Sequence, residues 1–220
     1  MILAYETATD ICSVSFQNKN GEIFEKKIQG RSVHSDNVFL FTQELMKEHN
    51  FSIEELEAVL VSNGPGSYTG LRIVASAIKG ILFQSKVKLF EVNTLAGFAQ
   101  SVVEVPGNLT VHSIIDARRT HIYHQSFSAN EKLIRNSEMS IKEIIEFEEE
   151  ITEGDYVIGT GINRLSESTL EKVSTYGSGV ISASNLIHLF SNQPNSQFFK
   201  ETSSEALNPN YISSSQVNNS

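Results

Sequence analysis

Three glycines and a proline fall within the seven residues Gly64 to Gly70. The run Ala58-Val59-Leu60-Val61 precedes them, and from Leu71 to Phe83 the chain is apolar apart from Arg72, Ser76 and Lys79. Strand, glycine loop and helix are predicted in that order. Such a loop aims backbone N–H groups toward one point at a helix N-terminus, where the helix dipole adds partial positive charge. Gly64, Gly66, Ser67, Thr69 and Gly70 are therefore candidates for holding an anion, phosphate first among them. A Walker-type loop needs a lysine directly after its last glycine, but here Gly70 is followed by Leu71, and the spacing from Gly64 is one residue too long. The alternative is a tight turn in which the glycines supply positive φ and Ser67 or Thr69 caps the helix.

The other residue types that carry chemistry are sparse. The histidines are His34, His49, His112, His121, His124 and His188. None forms the i, i+4 pair that would put two imidazoles on one helix face for a metal. His121 and His124 are three apart on a predicted strand, where they point to opposite faces, so they read as two partly exposed strand histidines. The single Cys12 cannot form an internal disulfide and reads as a small apolar strand residue within Ile11 to Phe16. No Ser-His-Asp or Cys-His set is legible. Gly159-Thr160-Gly161 could line a cleft or form a simple loop.

Charge limits the partners. The formal net charge is −9 and the isoelectric point is near 5.2. The acidic excess gathers at Glu143, Glu146, Glu148, Glu149, Glu150 and Glu153, a solvated helix end and loop. A chain that grips nucleic acid unaided usually shows a basic face, so any such role here would need a basic partner. No run approaches the roughly 20 apolar residues of a membrane span, and the chain opens as a strand, not as a signal sequence. No membrane association and a cytoplasmic location are the expectations.

The elements that position these residues follow from hydrophobic period. Met1 to Tyr5, Cys12 to Phe16 and Ile23 to Ile28 read as three strands joined by tight turns. Ser35 to about Asn50 reads as a helix, then come a strand near Ala58 to Ser62, the glycine loop, a helix from Thr69 to Gln84 and a strand Lys88 to Val92. Asn93 or Thr94 caps a further helix through about Glu104, and Pro106-Gly107-Asn108 marks a break. The second part opens with a hairpin, Thr110 to Asp116 and His121 to Phe127. A strand over Lys132 to Met139, a helix over Ile141 to Phe147, a strand at Tyr156 to Gly159 and a helix near Ser184 to Phe190 follow. This divides the chain into residues 1–105, 106–205 and a polar, disordered tail over 206–220. Both early helices are apolar on more than one side. That pattern fits either helices lying deep in their own domain or helices carrying a partner surface, for which Phe41, Leu45, Val74, Ala75, Ile78 and Leu82 are the candidates, with Arg72 either pairing across it or sitting on a solvated stripe.

The order βββαβαβ, with Glu6-Thr7-Ala8-Thr9 in the first turn and a second hairpin-led lobe, resembles the actin, hexokinase and Hsp70 superfamily. Within it, Gly64 to Ile73, Ile2 to Thr9, His34-Ser35, Asn93-Thr94-Leu95 and Asp116-Ala117-Arg118 resemble the bacterial TsaB (YeaZ) family. The likeness covers residues 1–128 and thins toward Asn208-Pro209-Asn210-Tyr211. It implies an α/β, two-lobe actin-like (ribonuclease H-like) fold with a smaller, truncated second lobe. It further implies a noncatalytic subunit for making N6-threonylcarbamoyladenosine next to the anticodon of tRNAs that read codons beginning with A. The implied partners are a catalytic TsaD-type paralogue, a TsaE-type ATPase and, when alone, a second copy of the chain. On this resemblance tRNA is met only through the complex, and no cofactor is held by this chain alone, ATP or ADP entering at the level of the complex. Glu6 and Asp116 stand in the two turns where an ATPase of this superfamily would hold phosphate and magnesium. Glu6 is longer than the expected aspartate, Ala8 carries a Cβ where glycine is expected, and Ala117-Arg118-Arg119 replaces the glycines of the second turn. Asp116 is then free to fix its own turn through a side-chain to backbone hydrogen bond. The competing function is a small ATPase or sugar-kinase-like enzyme.

Overall fold

The computed structural model describes residues 1–102 and 105–210. In chain order it contains β1 (Ile2–Glu6), β2 (Ile11–Gln17), β3 (Ile23–Gln29), α1 (His34–His49), β4 (Ala58–Ser62), α2 (Tyr68–Ile81), β5 (Lys88–Val92) and α3 (Thr94–Ala99). There follow β6 (Val111–Asp116), β7 (His121–Ala129), β8 (Leu133–Arg135), β9 (Ser140–Glu143), α4 (Ile144–Glu150), β10 (Tyr156–Ile158), α5 (Glu167–Leu170), β11 (Ser174–Tyr176), α6 (Ala183–Asn192) and β12 (Phe199–Thr202). These elements form two compact units.

The first unit comprises Met1–Gly97 and Ser182–Asn210. Its sheet runs β12-β5-β4-β1-β2-β3. β1 is central, antiparallel to β2 with Leu3 opposite Phe16, and parallel to β4 with Leu3 beside Val59. Because side chains alternate along a strand, Leu3 and Tyr5 face one side of the sheet. There, Val14, Phe16, Val59 and Val61 join Val38, Leu45, Val74, Ile78 and Leu82 in a core that α1 and α2 cover. Fully burying each such side chain contributes about 1.5–3 kcal/mol. α6 packs over β1 and β2, where the Ala183 N–H donates to Ser13 Oγ at 2.7 Å. α1 ends at Asn50, whose left-handed backbone lets its N–H reach Met46 O.

The second unit contains Phe98–Ile181. Its sheet runs β11-β10-β6-β7-β8, with β9 also paired to β7. β6 and β7 form the predicted hairpin, while β10 lies parallel to β6. Ile114, Ile122, Phe147, Val157 and Leu165 make its core. Antiparallel strands followed by parallel ones give each unit the actin-like α/β pattern, and the βββαβαβ order of the first is the one the sequence implies.

Several boundaries move. The expected division at residues 105 and 106 does not describe the contacts, because the chain returns to the first sheet after Ile181. α6 covers that sheet and β12 adds to its edge against β5. The expected disordered tail begins too early: Leu207 is buried in the first core, and Asn208 and Asn210 are hydrogen-bonded. Residues 211–220, with Tyr211, lie outside the described residues. The helix expected through Glu104 ends at Ala99, and Glu104 is likewise outside them. The strand expected over Lys132 to Met139 shortens to β8, and β9 takes the start of the expected helix at Ile141.

Candidate functional site

The glycine loop is packed from both sides by its own unit. Ser67 caps α2, its Oγ accepting from the Gly70 N–H at 3.2 Å, which decides between Ser67 and Thr69. The Ser67 N–H donates to Ala8 O at 2.6 Å, and the Gly64 N–H donates to Thr94 Oγ1 at 2.9 Å. Gly66 sits at φ +155°, and a Cβ there would lie 2.7 Å from the Ala8 Cβ; one at Gly70 would come under 3.0 Å from the Thr7 carbonyl oxygen. These glycines therefore admit the backbone of the β1–β2 turn. The Asn210 N–H donates to Asn63 O at 2.9 Å, and Asn63 Nδ2 donates to Asn208 O at 3.0 Å. Gly64, Ser67 and Gly70, three of the candidate anion ligands, thus have their N–H groups committed within the chain. Thr69 is exposed.

Glu6 lies under this loop and is 1% exposed. Its Oε1 accepts from the Ala8 N–H at 2.7 Å, and its Oε2 meets the Ser62 hydroxyl. Burial pushes its carboxyl up to about 7, against the pull of those two hydrogen bonds. Facing inward, it is bound to the turn it stabilises. A carboxyl raised in the folded state contributes stability that is full below its unfolded value and is lost as pH climbs toward 7. Glu6→Gln removes the charge and still satisfies the turn, its amide oxygen accepting from the Ala8 N–H and its NH2 donating to the Ser62 hydroxyl oxygen. Chemical unfolding at about pH 5 and about pH 8 is expected to show a variant that loses less stability than the native chain, by up to about 3 kcal/mol. Equal losses in the two proteins would refute this.

Asp116 does what its turn predicts. Its Oδ1 accepts from the Arg118 N–H at 2.7 Å and from Arg164 Nη1 at 2.7 Å.

The partner surface needs correction. Leu45, Val74, Ala75, Ile78 and Leu82 are all 6% exposed or less and belong to the core of the first unit; Phe41 is half-buried against it. The second apolar side of each helix is absorbed by the sheet and by the α1–α2 contact. What remains outside is a different set: Phe39 and Leu40 on α1, Tyr68 at the start of α2 and Phe83 just beyond its end, 46–72% exposed. Arg72 is exposed, with its guanidinium 3.9 Å over the Tyr68 ring. Periodicity could not separate the core side from the outer side of helices that are apolar on both.

The histidines held a second surprise. His124 is not partly exposed but 1% exposed, and its Nε2 lies 3.0 Å from Nδ1 of His112. His112 Nε2 lies 3.3 Å from Asp155 Oδ2, and that carboxylate also takes the N–H groups of Thr110 and Thr152, each at 2.9 Å. Since the carboxylate only accepts, His112 donates through Nε2 and accepts through Nδ1, so His124 donates through Nε2. Burial lowers both imidazoles, that of His124 to about 3. The only sequence signal was the diagonal placement of His112 and His124 across the β6–β7 hairpin, two residues out of direct register, and Asp155 was invisible. This is a chain of hydrogen bonds rather than a converging ligand set. Among the described residues no group of three or more His, Cys, Asp or Glu could hold a metal ion, and no helix is long and apolar enough to cross a membrane.

Two α/β units of actin-like topology with a braced, lysine-free glycine loop define the fold class, and the comparisons narrow it. Residues 29–190 match the family described as TsaD: tRNA N6-adenosine threonylcarbamoyltransferase. The tRNA threonylcarbamoyladenosine biosynthesis protein TsaB of Escherichia coli K12 is 28% identical over 165 residues, 73% of this chain and 71% of that one. The protein of the same name from Buchnera aphidicola subsp. Baizongia pistaciae is 24% identical over 182 residues, 78% of this chain and 80% of that one. Among solved structures, YeaZ from Pseudomonas aeruginosa superposes with a TM-score of 0.78 at 20% identity, covering 96% of this chain and 99% of that one. A second solved chain, described as similar to peptidase YeaZ, gives 0.79. The chain belongs to this TsaD-related family and, within it, to the TsaB (YeaZ) proteins.

Proposed function

We propose that this chain is a noncatalytic subunit for the N6-threonylcarbamoylation of adenosine 37 in tRNAs that read codons beginning with A, and that it binds and activates a catalytic TsaD-type paralogue together with a TsaE-type ATPase. The supporting observation is the combination of large apolar side chains left exposed on the two helices, Phe39, Leu40, Tyr68 and Phe83, with a glycine loop in which the Gly64, Ser67 and Gly70 donors serve its own fold. Large apolar side chains left exposed on a surface favour a protein partner. The names of the relatives supply the pathway. When the chain is alone, an isologous pair through the same face covers it, since one self-complementary patch suffices. Nucleotide enters with the partners, and tRNA is engaged in the complex.

Reconstitution tests the reading directly. The TsaD-type and TsaE-type partners, tRNA and threonylcarbamoyl-adenylate are combined with and without this chain, and modified nucleoside is read by mass spectrometry. Product that depends on the chain, with none from the chain alone, is expected. Product unchanged by its omission would remove the activator role and turn attention to an independent ATPase. The face has its own test. Phe83→Glu and Phe39→Glu are expected to weaken pairing with the partner at least tenfold with stability changed by about 0.5 kcal/mol or less, because exposed sites lose little. Ala75→Glu, by contrast, buries a charge in the core and is expected to unfold the first unit. Normal pairing by both phenylalanine variants would refute the face.

A further inference from the structure

The turn between β6 and β7 runs against the rest of the chain in both backbone and charge. Arg118 and Arg119 are consecutive non-glycine residues at φ +72° and +53°, and both are exposed. The left-handed region costs an L-residue roughly 1–2 kcal/mol, a cost that glycine escapes. Two arginines in succession are thus held where glycines would fit more cheaply. The turn is built to hold them. Asp116 Oδ1 takes the Arg118 N–H, Arg164 Nη1 donates to that same oxygen, and Arg164 Nη2 donates to the Arg119 carbonyl. His121 N–H closes onto Arg118 O at 3.1 Å, and Ala117 N–H onto His121 O at 3.1 Å.

The charges complete the picture. Arg164 pairs with Asp116, the turn's own acid, and among the described residues neither the Arg118 nor the Arg119 guanidinium makes an ion pair with a carboxylate. Three guanidinium groups lie at this turn, where the Asp116 carboxylate is taken by Arg164 and the Glu143 carboxylate stands 4.0 Å from His121 Nε2, in a chain whose net charge is −9. A guanidinium fork matches phosphate oxygens in two-bond geometry, and a turn already fixed gives up little backbone freedom on binding.

We propose that Arg118 and Arg119 form a phosphate-recognising pair that contacts the tRNA backbone. The proposal rests on the function given above and supplies a direct RNA contact by this chain. Two adjacent cations suit a polyanion better than a single phosphate, and two contacts are few enough that tRNA binding still depends on the complex.

The experiment measures tRNA affinity by filter binding over a series of salt concentrations, for the full chain alone at low salt and for the chain with its TsaD-type partner. Native protein is compared with R118A/R119A, R118K/R119K and R118G/R119G, and ATP is the competing mononucleotide. The alanine and glycine pairs are expected to bind tRNA about tenfold more weakly, with the slope of log K against log salt reduced by about 1.5. The lysine pair is expected to keep most of that slope. The glycine pair, relieved of the left-handed cost, is expected to be at least as stable as native, so its loss of RNA affinity cannot come from unfolding. Unchanged affinity and slope in the glycine pair, no tRNA binding by the native chain in either setting, or the same arginine dependence for ATP with none for tRNA would each overturn the proposal. Failure of the chain to pair with its partner would instead count against the function proposed above, and the arm without the partner would still decide the arginines.

Discussion

Gly70→Ala is expected to cost the first unit at least about 3 kcal/mol in urea unfolding, while Gly80→Ala, in the same helix, raises stability by about 0.5–1 kcal/mol. The contrast comes from what surrounds each position. A Cβ at Gly70 runs into the carbonyl oxygen of Thr7, with His34 Nε2 at 3.4 Å, whereas one at Gly80 meets nothing within 4 Å. The Thr7 carbonyl cannot retreat at low cost, because Thr7 Oγ1 donates to Gly70 O at 3.2 Å and the Ala8 carbonyl in the same turn holds the Ser67 N–H. Moving the turn would break both bonds and shift the buried Glu6. If Gly70→Ala stays within about 1 kcal/mol of the native chain, the loop has room to relax and its close packing is not required.

Asp155→Ala is the second large effect, expected to remove about 3–5 kcal/mol from the second unit. The side chain answers two backbone N–H groups and one imidazole in a site only 3% exposed, and no shorter residue can reach all three. The pH dependence follows from the imidazoles. Burial lowers both, so the unfolded chain binds their protons more tightly than the folded one. Stability from this source is full above about 6.5 and drains away as pH falls toward the value near 3 of His124. Two pH steps below 6.5 should remove about 2–3 kcal/mol through His124. Hydrogen exchange of the β6 and β7 amides reads this directly, and His124→Leu is expected to flatten the dependence. Protection factors, corrected for the intrinsic pH dependence of exchange, that are equal at pH 4.5 and 7.5 in the native protein would contradict it. The sign is opposite to that of Glu6, so acid weakens the second unit where alkali weakens the first.

Strands β1 to β7 and β10, the two long helices and the cap of α2, narrowed to Ser67 or Thr69, were legible because each rests on local chemistry: alternation, the 3.6-residue period, and a hydroxyl residue at the start of a helix. The Asp116 turn was legible for the same reason. What stayed hidden depends on distant residues. No feature of α6 states that it will cover β1 and β2 from the other end of the sequence, and Asp155 gives no hint that it will find His112. The helix faces failed differently. Two apolar sides looked alike in Leu45 and Ile78, and only the sheet beneath them shows that these point inward while Phe39 and Phe83 are left outside. The glycine loop was located correctly, but its purpose could not be read, since the Ala8 and Thr94 groups that take its donors arrive from other elements.

The return of the chain to its first sheet has a consequence during synthesis. A ribosome delivers Met1–Gly97 early, yet α6, β12 and the Leu207 plug emerge only after residues 98–181 have been made. The second unit is, in chain terms, an insertion, free to form from contiguous sequence while the first waits with one face of β1 and β2 and the edge of β5 uncovered. Nascent chains stalled before residue 182 are therefore expected to engage chaperones, and a ligand or fusion at the C-terminal end acts on the oldest part of the protein as much as on the newest.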